Sequence, residues 1–230
     1  MNVTPRGLAK ADRRAQILDS AARLFAHRGY AQVTVAAIGE RSGVTGPAVY
    51  RHFRSKEAIL AEVLHSASKG LLEDAGGTCS DAPTPGAALN GLIELHVKFA
   101  LSNSAAIRIQ DRDLTFLSSP DRRRIRSTQK DYVSHWTRVL AHLRPDEPEE
   151  SHVTRAVGTI GLINSAVCAR ALPLEDPAAF AATLQEMASL ALGAPHQAAE
   201  TERSETGGAQ PPQTAVPATS SPGMGRKDTI

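Results

Sequence analysis

TVAAIGERSGVTGPAVYRHF, residues 34–53, is the most informative stretch of this 230-residue chain. Thr34 precedes a short apolar pattern, Val35 and Ile38, that stops at Ser42-Gly43. Thr45 then precedes a second short segment with Pro47 in its first turn. Threonine can cap a helix start, and proline in the first turn costs no hydrogen bond. Gly43 supplies the left-handed backbone of a tight corner, and Val44 can plug inward beside Ile38 and Val49. The outline is a helix-turn-helix. Its second helix, read as residues 45–52, begins with Thr45, Gly46, Pro47 and Ala48. A start with such small side chains suits insertion into the major groove of duplex DNA. Tyr50, Arg51 and His52 stand at its other end, where they can reach phosphates. Lys56 lies in the first turn of the following helix, beside backbone N–H groups that also favour an anion. Core packing for Tyr50 and Phe53, plain solvation for Arg51 and a capping role for His52 are the competing structural readings.

The flanking segments read as helices. From Lys10 to Arg28, Ile17, Ala21, Leu24 and Phe25 recur at helical spacing, and Gly29 takes the position just past the end. Ser55 can cap a fourth helix through Leu72. The run GGTCSDAPTPG, Gly76 to Gly86, reads as a linker. Beyond it, apolar periodicity predicts helices around 89–99, 107–116, 119–143, 148–172 and 176–191, with Pro145 and Pro173 as stops. No strand pattern or repeat stands out. The expectation is an all-α chain with three parts: a helix-turn-helix domain over 10–56, a helical body over 57–193 and a disordered tail over 194–230 that is rich in Pro, Gly, Ser and Thr.

Composition narrows the functional classes. Aromatics make up 4%, so the core is aliphatic, which favours helices over sheet. Cys79 and Cys168 form no CxxC pair, which fits a reducing cytoplasm and argues against a disulfide scaffold. No signal-peptide pattern opens the chain, and the charge-free run from Ala156 to Ala169 is too short to cross a bilayer. GxSxG, HExxH, P-loop and GxGxxG motifs do not occur, so an enzyme is not expected, nor a cofactor. Net charge is +2, yet residues 1–60 hold ten Lys or Arg against four Asp or Glu. A basic end on a mildly acidic body suits a polyanion such as double-stranded DNA, or else is simply an uneven solvated surface.

Four segments, ILDSAARLFAHRGY (17–30), TVAAIGERSGV (34–44), VYRHF (49–53) and SKEAIL (55–60), resemble the tetracycline-repressor (TetR) family of one-component transcriptional regulators in their order and spacing. The resemblance covers about 50 residues, and beyond Leu72 there is no motif-level match. It implies an all-α homodimer that binds a palindromic operator and is released by a small molecule held in the C-terminal domain. It further implies that Thr34 caps its helix and touches a phosphate. Thr45, Gly46, Pro47 and Ala48 would face base edges, with Tyr50, His52 and Lys56 on the DNA backbone. The chain departs from the family at Gly46, where lysine is frequent, and at Gly39, where alanine is usual. A mid-helix glycine costs roughly 0.5–1 kcal/mol.

The body is less legible. A ligand cavity needs apolar walls and a few polar groups. Candidate lining residues are Phe99, Ile107, Leu114, Phe116, Tyr132 and Trp136, with Gln110, Asp111 and Asn164 as polar members; each can equally be core. Asn164 can also pair with its copy across a dimer interface. The basic run Asp121 to Lys130 reads as a solvated helix face or as a contact for an acidic ligand such as an acyl-coenzyme A. Asp131, His135 and His142 lack the further ligands of a tetrahedral metal site, so no metal is expected. Small residues on the last two helices, with Ile160, Val167, Leu184 and Met187 as an apolar seam, predict a four-helix dimer interface. A regulator shifted between populations by its small molecule is the expected mechanism, with the helix from Ser55 to Leu72 as the moving part. Activator or corepressor-dependent action, and a helical adaptor that does not bind DNA, are the alternatives.

Overall fold

In the computed structural model, residues 5–169 and 175–193 are described. Among them every regular element is helical, as the aliphatic composition and 3.6-residue spacing predicted. The helices are α1 (Pro5–Arg28), α2 (Val35–Arg41), α3 (Gly46–Val49), α4 (Lys56–Asp81), α5 (Pro85–Ser102), α6 (Ser104–Asp113), α7 (Ser119–Leu143), α8 (Glu149–Ala169) and α9 (Pro177–Leu192). A single 3-10 turn, Leu114–Phe116, joins α6 to α7. The closing role given to Pro173, and the tail over 194–230, lie outside the described residues.

Local chemistry sets the ends of these helices. Thr34, Ser55, Thr84 and Ser118 each accept a bond from the backbone N–H three residues on. Asp176 accepts from both Ala178 and Ala179. These are the side-chain caps that satisfy otherwise orphaned donors. Gly29 and Gly43 adopt φ of 85° and 70°, the left-handed conformation expected at both corners.

Two expectations fail in ways that matter. The segment Gly76 to Gly86 is not a linker. α4 runs unbroken through Gly76 and Gly77 to Asp81, and the chain turns only at 82–84 before Pro85 opens α5. Packing against α5 and α7 outweighs the two glycines' poor helix propensity. The helix expected over 45–52 is only four residues long, and Thr45 precedes it without a side-chain capping bond.

Two hydrophobic clusters make up the core. The first gathers Ile17, Phe25, Ile38, Val49 and Phe53 with Ile59, Leu60 and Leu64 of α4, Ile109 of α6 and Ile125 of α7. Phe53 is therefore core, as read. The second gathers Leu71, Leu92, Ile93, Tyr132, Trp136, Leu140, Ile163 and Leu184. The head's cluster thus reaches past residue 56, where the expected boundary falls. α4 lends its first half to one cluster and its second half to the other, so one rigid rod crosses both.

Candidate nucleic-acid interface and ligand cavity

The α2–α3 corner is built on close backbone approach. Gly39 is buried in α2, and a Cβ there would lie 2.8 Å from the carbonyl oxygen of Val44 and 3.0 Å from the amide nitrogen of Gly46. The glycine taken as a propensity cost is thus what allows α3 to sit against α2. Val44 is bonded to the Gly39 carbonyl through its N–H at 2.9 Å. The tip of α3 faces outward: Thr45 and Pro47 are exposed, with Gly46 and Ala48 half-buried beside them. Tyr50 is 56% exposed, Arg51 is exposed, and Thr34 is exposed while its hydroxyl caps α2. Neither Tyr50 nor Arg51 is core.

α1 contributes cations that the motif alone does not reveal. It starts at Pro5, earlier than the sequence pattern suggested, and its first half reaches the corner. Arg13 donates to the Ser42 carbonyl at 3.4 Å, and Arg14 to the His52 carbonyl at 2.6 Å. Arg14 also lies 4.1 Å from the centre of the Phe53 ring and pairs with Glu62 at 3.2 Å. Burial and then the positive charges of Lys10, Arg14, Arg13 and Arg51 hold the His52 imidazole below its ordinary pKa. His52 is half-buried, so its reach to a phosphate is shorter than expected, but the cations that crowd it describe a face prepared for an anion.

Lys56 has a different task from the one predicted. Its ammonium donates to the carbonyls of Tyr30 and Val33 at 2.9 and 2.8 Å and lies 4.2 Å from the Tyr30 ring centre. Two of its three donors therefore hold the α1–α2 loop. A second latch comes from the body, and sequence gave no sign of it. Buried Asp113, at the end of α6, accepts from the Tyr30 N–H at 3.2 Å. Its neighbour Arg112 pairs with it and donates to the Phe25 carbonyl. Glu57 of α4 accepts from the Ser118 N–H at 2.8 Å.

The body encloses a cavity of about 210 Å³ between α4, α5, α6, α7 and α8. Phe99, Ile107, Gln110, Tyr132 and Asn164 line it, as the sequence suggested, and so does Ile160, which the sequence placed in the seam between copies. Four expected lining residues do not. Trp136 is fully buried one turn deeper in the core. Leu114 packs on the head's cluster, and Phe116 stands outside with its ring 5.0 Å from that of Tyr30. Asp111 is exposed in a neighbouring cleft beside Cys168. The 3-10 turn rotates this end of the segment away from the cavity.

The residue that sequence reasoning overlooked is His96. Placed among apolar neighbours on α5, it read as part of a stripe. It is 2% exposed, receives the Tyr132 hydroxyl at Nδ1 (2.9 Å) and meets Asn164 Oδ1 through Nε2 (3.2 Å). Burial pulls its pKa down to about 4 against the smaller opposing effect of the Asn164 bond. Burial raises that of Tyr132, so both rings are neutral at neutral pH. Asn164 Oδ1 is thus bonded within its own chain.

Val167 and Leu184 are buried in the body's own core, because that face of α8 and α9 packs on α5. The outward apolar residues of these helices are Val153, Val157, Met187 and Leu190. Gly158, Gly161 and Ser165 are also exposed on α8. In the basic run on α7, Arg123, Arg124, Arg126 and Lys130 are exposed, whereas Ile125 enters the head's cluster, Gln129 lines the cavity and Arg122 donates to the Thr115 and Leu117 carbonyls. Among the described residues, no three His, Cys, Asp or Glu side chains come together as a metal site. No described helix is long and apolar enough to cross a membrane.

Residues 17–63, which hold most of this head, match the model of bacterial regulatory proteins of the tetR family. The head of the chain is similar to the tetR family. The chain is 31% identical over 117 residues to the HTH-type transcriptional repressor KstR2 of Rhodococcus jostii RHA1. That match covers 49% of this chain and 55% of the repressor, so the chain spans about half the length of the relative. The fold is shared more widely. A TetR-family regulator from Bordetella parapertussis 12822 superposes with a TM-score of 0.68 at 21% identity, over 76% of this chain and 93% of that one. AibR, solved with isovaleryl coenzyme A and operator DNA, superposes with a TM-score of 0.65 at 18% identity, over 77% and 97%.

Proposed function

We propose that this chain is a TetR-family transcriptional repressor that binds a palindromic operator as a homodimer and lets go when a small molecule fills the body. The observation that carries this reading is the exposed, small-sided tip of α3 set among Arg51, Lys10, Arg13 and Arg14. Thr45 to Ala48 would meet base edges, while Tyr50, Arg51, Thr34 and the α1 cations would meet phosphates. Half-sites about 34–36 Å apart, or a multiple, suit such a dimer. The name of KstR2 as a repressor and the operator DNA bound by AibR support the assignment. A cytoplasmic location goes with this role.

Release would run through two elements that touch both cavity and head. α4 lines the cavity with Leu64 and Leu71 and enters the head's core with Ile59 and Leu60. α6 lines it with Ile107 and Gln110 and grips the α1–α2 loop through Arg112 and Asp113. A ligand that favours one setting of these two helices shifts the population of head positions.

Fluorescence anisotropy with DNA from upstream of the chain's own gene tests this. Affinity should fall steeply with salt. Arg51→Ala should weaken binding to every duplex and lower the salt slope, whereas Pro47→Arg should change which sequence is preferred. Equal affinity for that DNA and random duplex would support the adaptor reading instead.

A further inference from the structure

The cavity's polar groups form a directed chain, and its direction specifies the ligand. Asn164 Oδ1 can only accept, so the one proton of the neutral imidazole sits on Nε2 and is donated to it. His96 Nδ1 is then an acceptor, and the Tyr132 hydroxyl donates to it. The chain ends at the Asn164 amide NH2, at the border of this cavity and the neighbouring cleft beside Cys168. A second donor lines the same cavity: Gln129 Nε2 is buried and has no hydrogen-bond partner. A buried amide donor left unpaired is costly, so this cavity is short of acceptors. Its remaining wall is apolar, with Leu71, Phe99, Ile107 and Ile160 among the lining residues. No Lys, Arg, Asp or Glu lines it. An ionised group placed there would lose its hydration with no opposite charge to offset the loss.

We propose that the effector is a neutral, largely apolar molecule whose carbonyl oxygen accepts hydrogen bonds from the Asn164 and Gln129 amides. The inference rests on the body being the effector site. It separates a ketone, lactone or ester from a carboxylate, and from a coenzyme A thioester whose phosphates would need cations at the cavity. His96 and Tyr132 are positioning residues: they fix which end of the Asn164 amide points into the space.

The test uses the full chain and a matched set of probes of similar size: 1-tetralone, tetralin and 1,2,3,4-tetrahydro-1-naphthoate, with isovaleryl-coenzyme A alongside. Titration calorimetry at pH 7.5 should show the ketone binding about tenfold or more tightly than the hydrocarbon, the value of one or two hydrogen bonds. The carboxylate and the thioester should bind more weakly than the ketone. In Asn164→Leu and Gln129→Leu the ratio of ketone to hydrocarbon affinity should fall towards one. Retained tetralin binding would show that the cavity is intact. Tighter binding of the carboxylate or thioester, no binding of the ketone up to its solubility, or an unchanged ratio in both variants would overturn the inference. Operator release is read separately. A ketone that binds without altering DNA affinity counts against the regulatory reading, while release by the thioester alone counts against the ligand class only.

Discussion

Gly39 shows how a single residue can carry opposite meanings in sequence and in space. By helix propensity, alanine there would gain about 0.5–1 kcal/mol. By geometry, its Cβ would press on backbone atoms of the α2–α3 turn at 2.8–3.0 Å, and backbone cannot swing aside as a side chain can. Overpacking of this kind costs about 1–3 kcal/mol. Gly39→Ala is therefore expected to lower the melting temperature and to weaken DNA binding by displacing α3. A higher melting temperature with full DNA affinity would show that the turn yields easily. His96 makes a second residue-level prediction. Its folded pKa of about 4 lies below the value of 6.5 expected in the unfolded chain. The unfolded state thus binds the extra proton first, and stability falls as pH drops below about 6.5 until the folded state titrates near 4. The full effect is on the order of 3 kcal/mol. Denaturant unfolding of wild type and His96→Gln between pH 7.5 and 4.5 should show a steeper acid loss in the wild type. Parallel curves would exclude the histidine as the cause.

α4 is the element on which the most depends. The glycine pair at 76–77 looked like a break, because glycine is a poor helix former and the residues after it favour turns. What sequence could not weigh was the tertiary contact with α5 and α7 that keeps the helix going to Asp81. Gly77 is exposed, and nothing lies within 4 Å of where its Cβ would be. Gly77→Ala should accordingly raise stability by roughly 0.5–1 kcal/mol, read from the urea midpoint at unchanged m-value. A flexible linker at this position would give no such gain. The reverse error occurred at α3, where a helix expected over 45–52 closes after Val49. Its side chains are held less by its own hydrogen bonds than by Val49 and Phe53 in the core beneath.

For the whole molecule, the face proposed to meet a second copy is the outer side of α8 and α9. Leu190 is 69% exposed and Met187 45%, and the exposed glycines of α8 permit close approach. Leu190→Glu or Met187→Glu should convert a dimer to a monomer in sedimentation and weaken operator binding more than tenfold, because two linked heads bind together. Helical circular dichroism should be unchanged, since both side chains point away from their own core. A monomeric wild type would remove the proposed symmetry altogether.

Sequence by itself determined the helical class, the corner at Gly43, most helix starts and the outward tip at Thr45 to Ala48. Each depends on a cap, a glycine or an apolar period that acts across three or four neighbouring residues. Tertiary packing determined the rest. His96 joins Asn164 across 68 positions, Asp113 joins Tyr30 across 83, and the inward or outward sense of Val167, Leu184, Met187 and Leu190 depends on where α5 lies. An apolar period tells that a helix has a buried face. It does not tell which neighbour covers it, and the cavity, the latch and the partner face all depend on that choice.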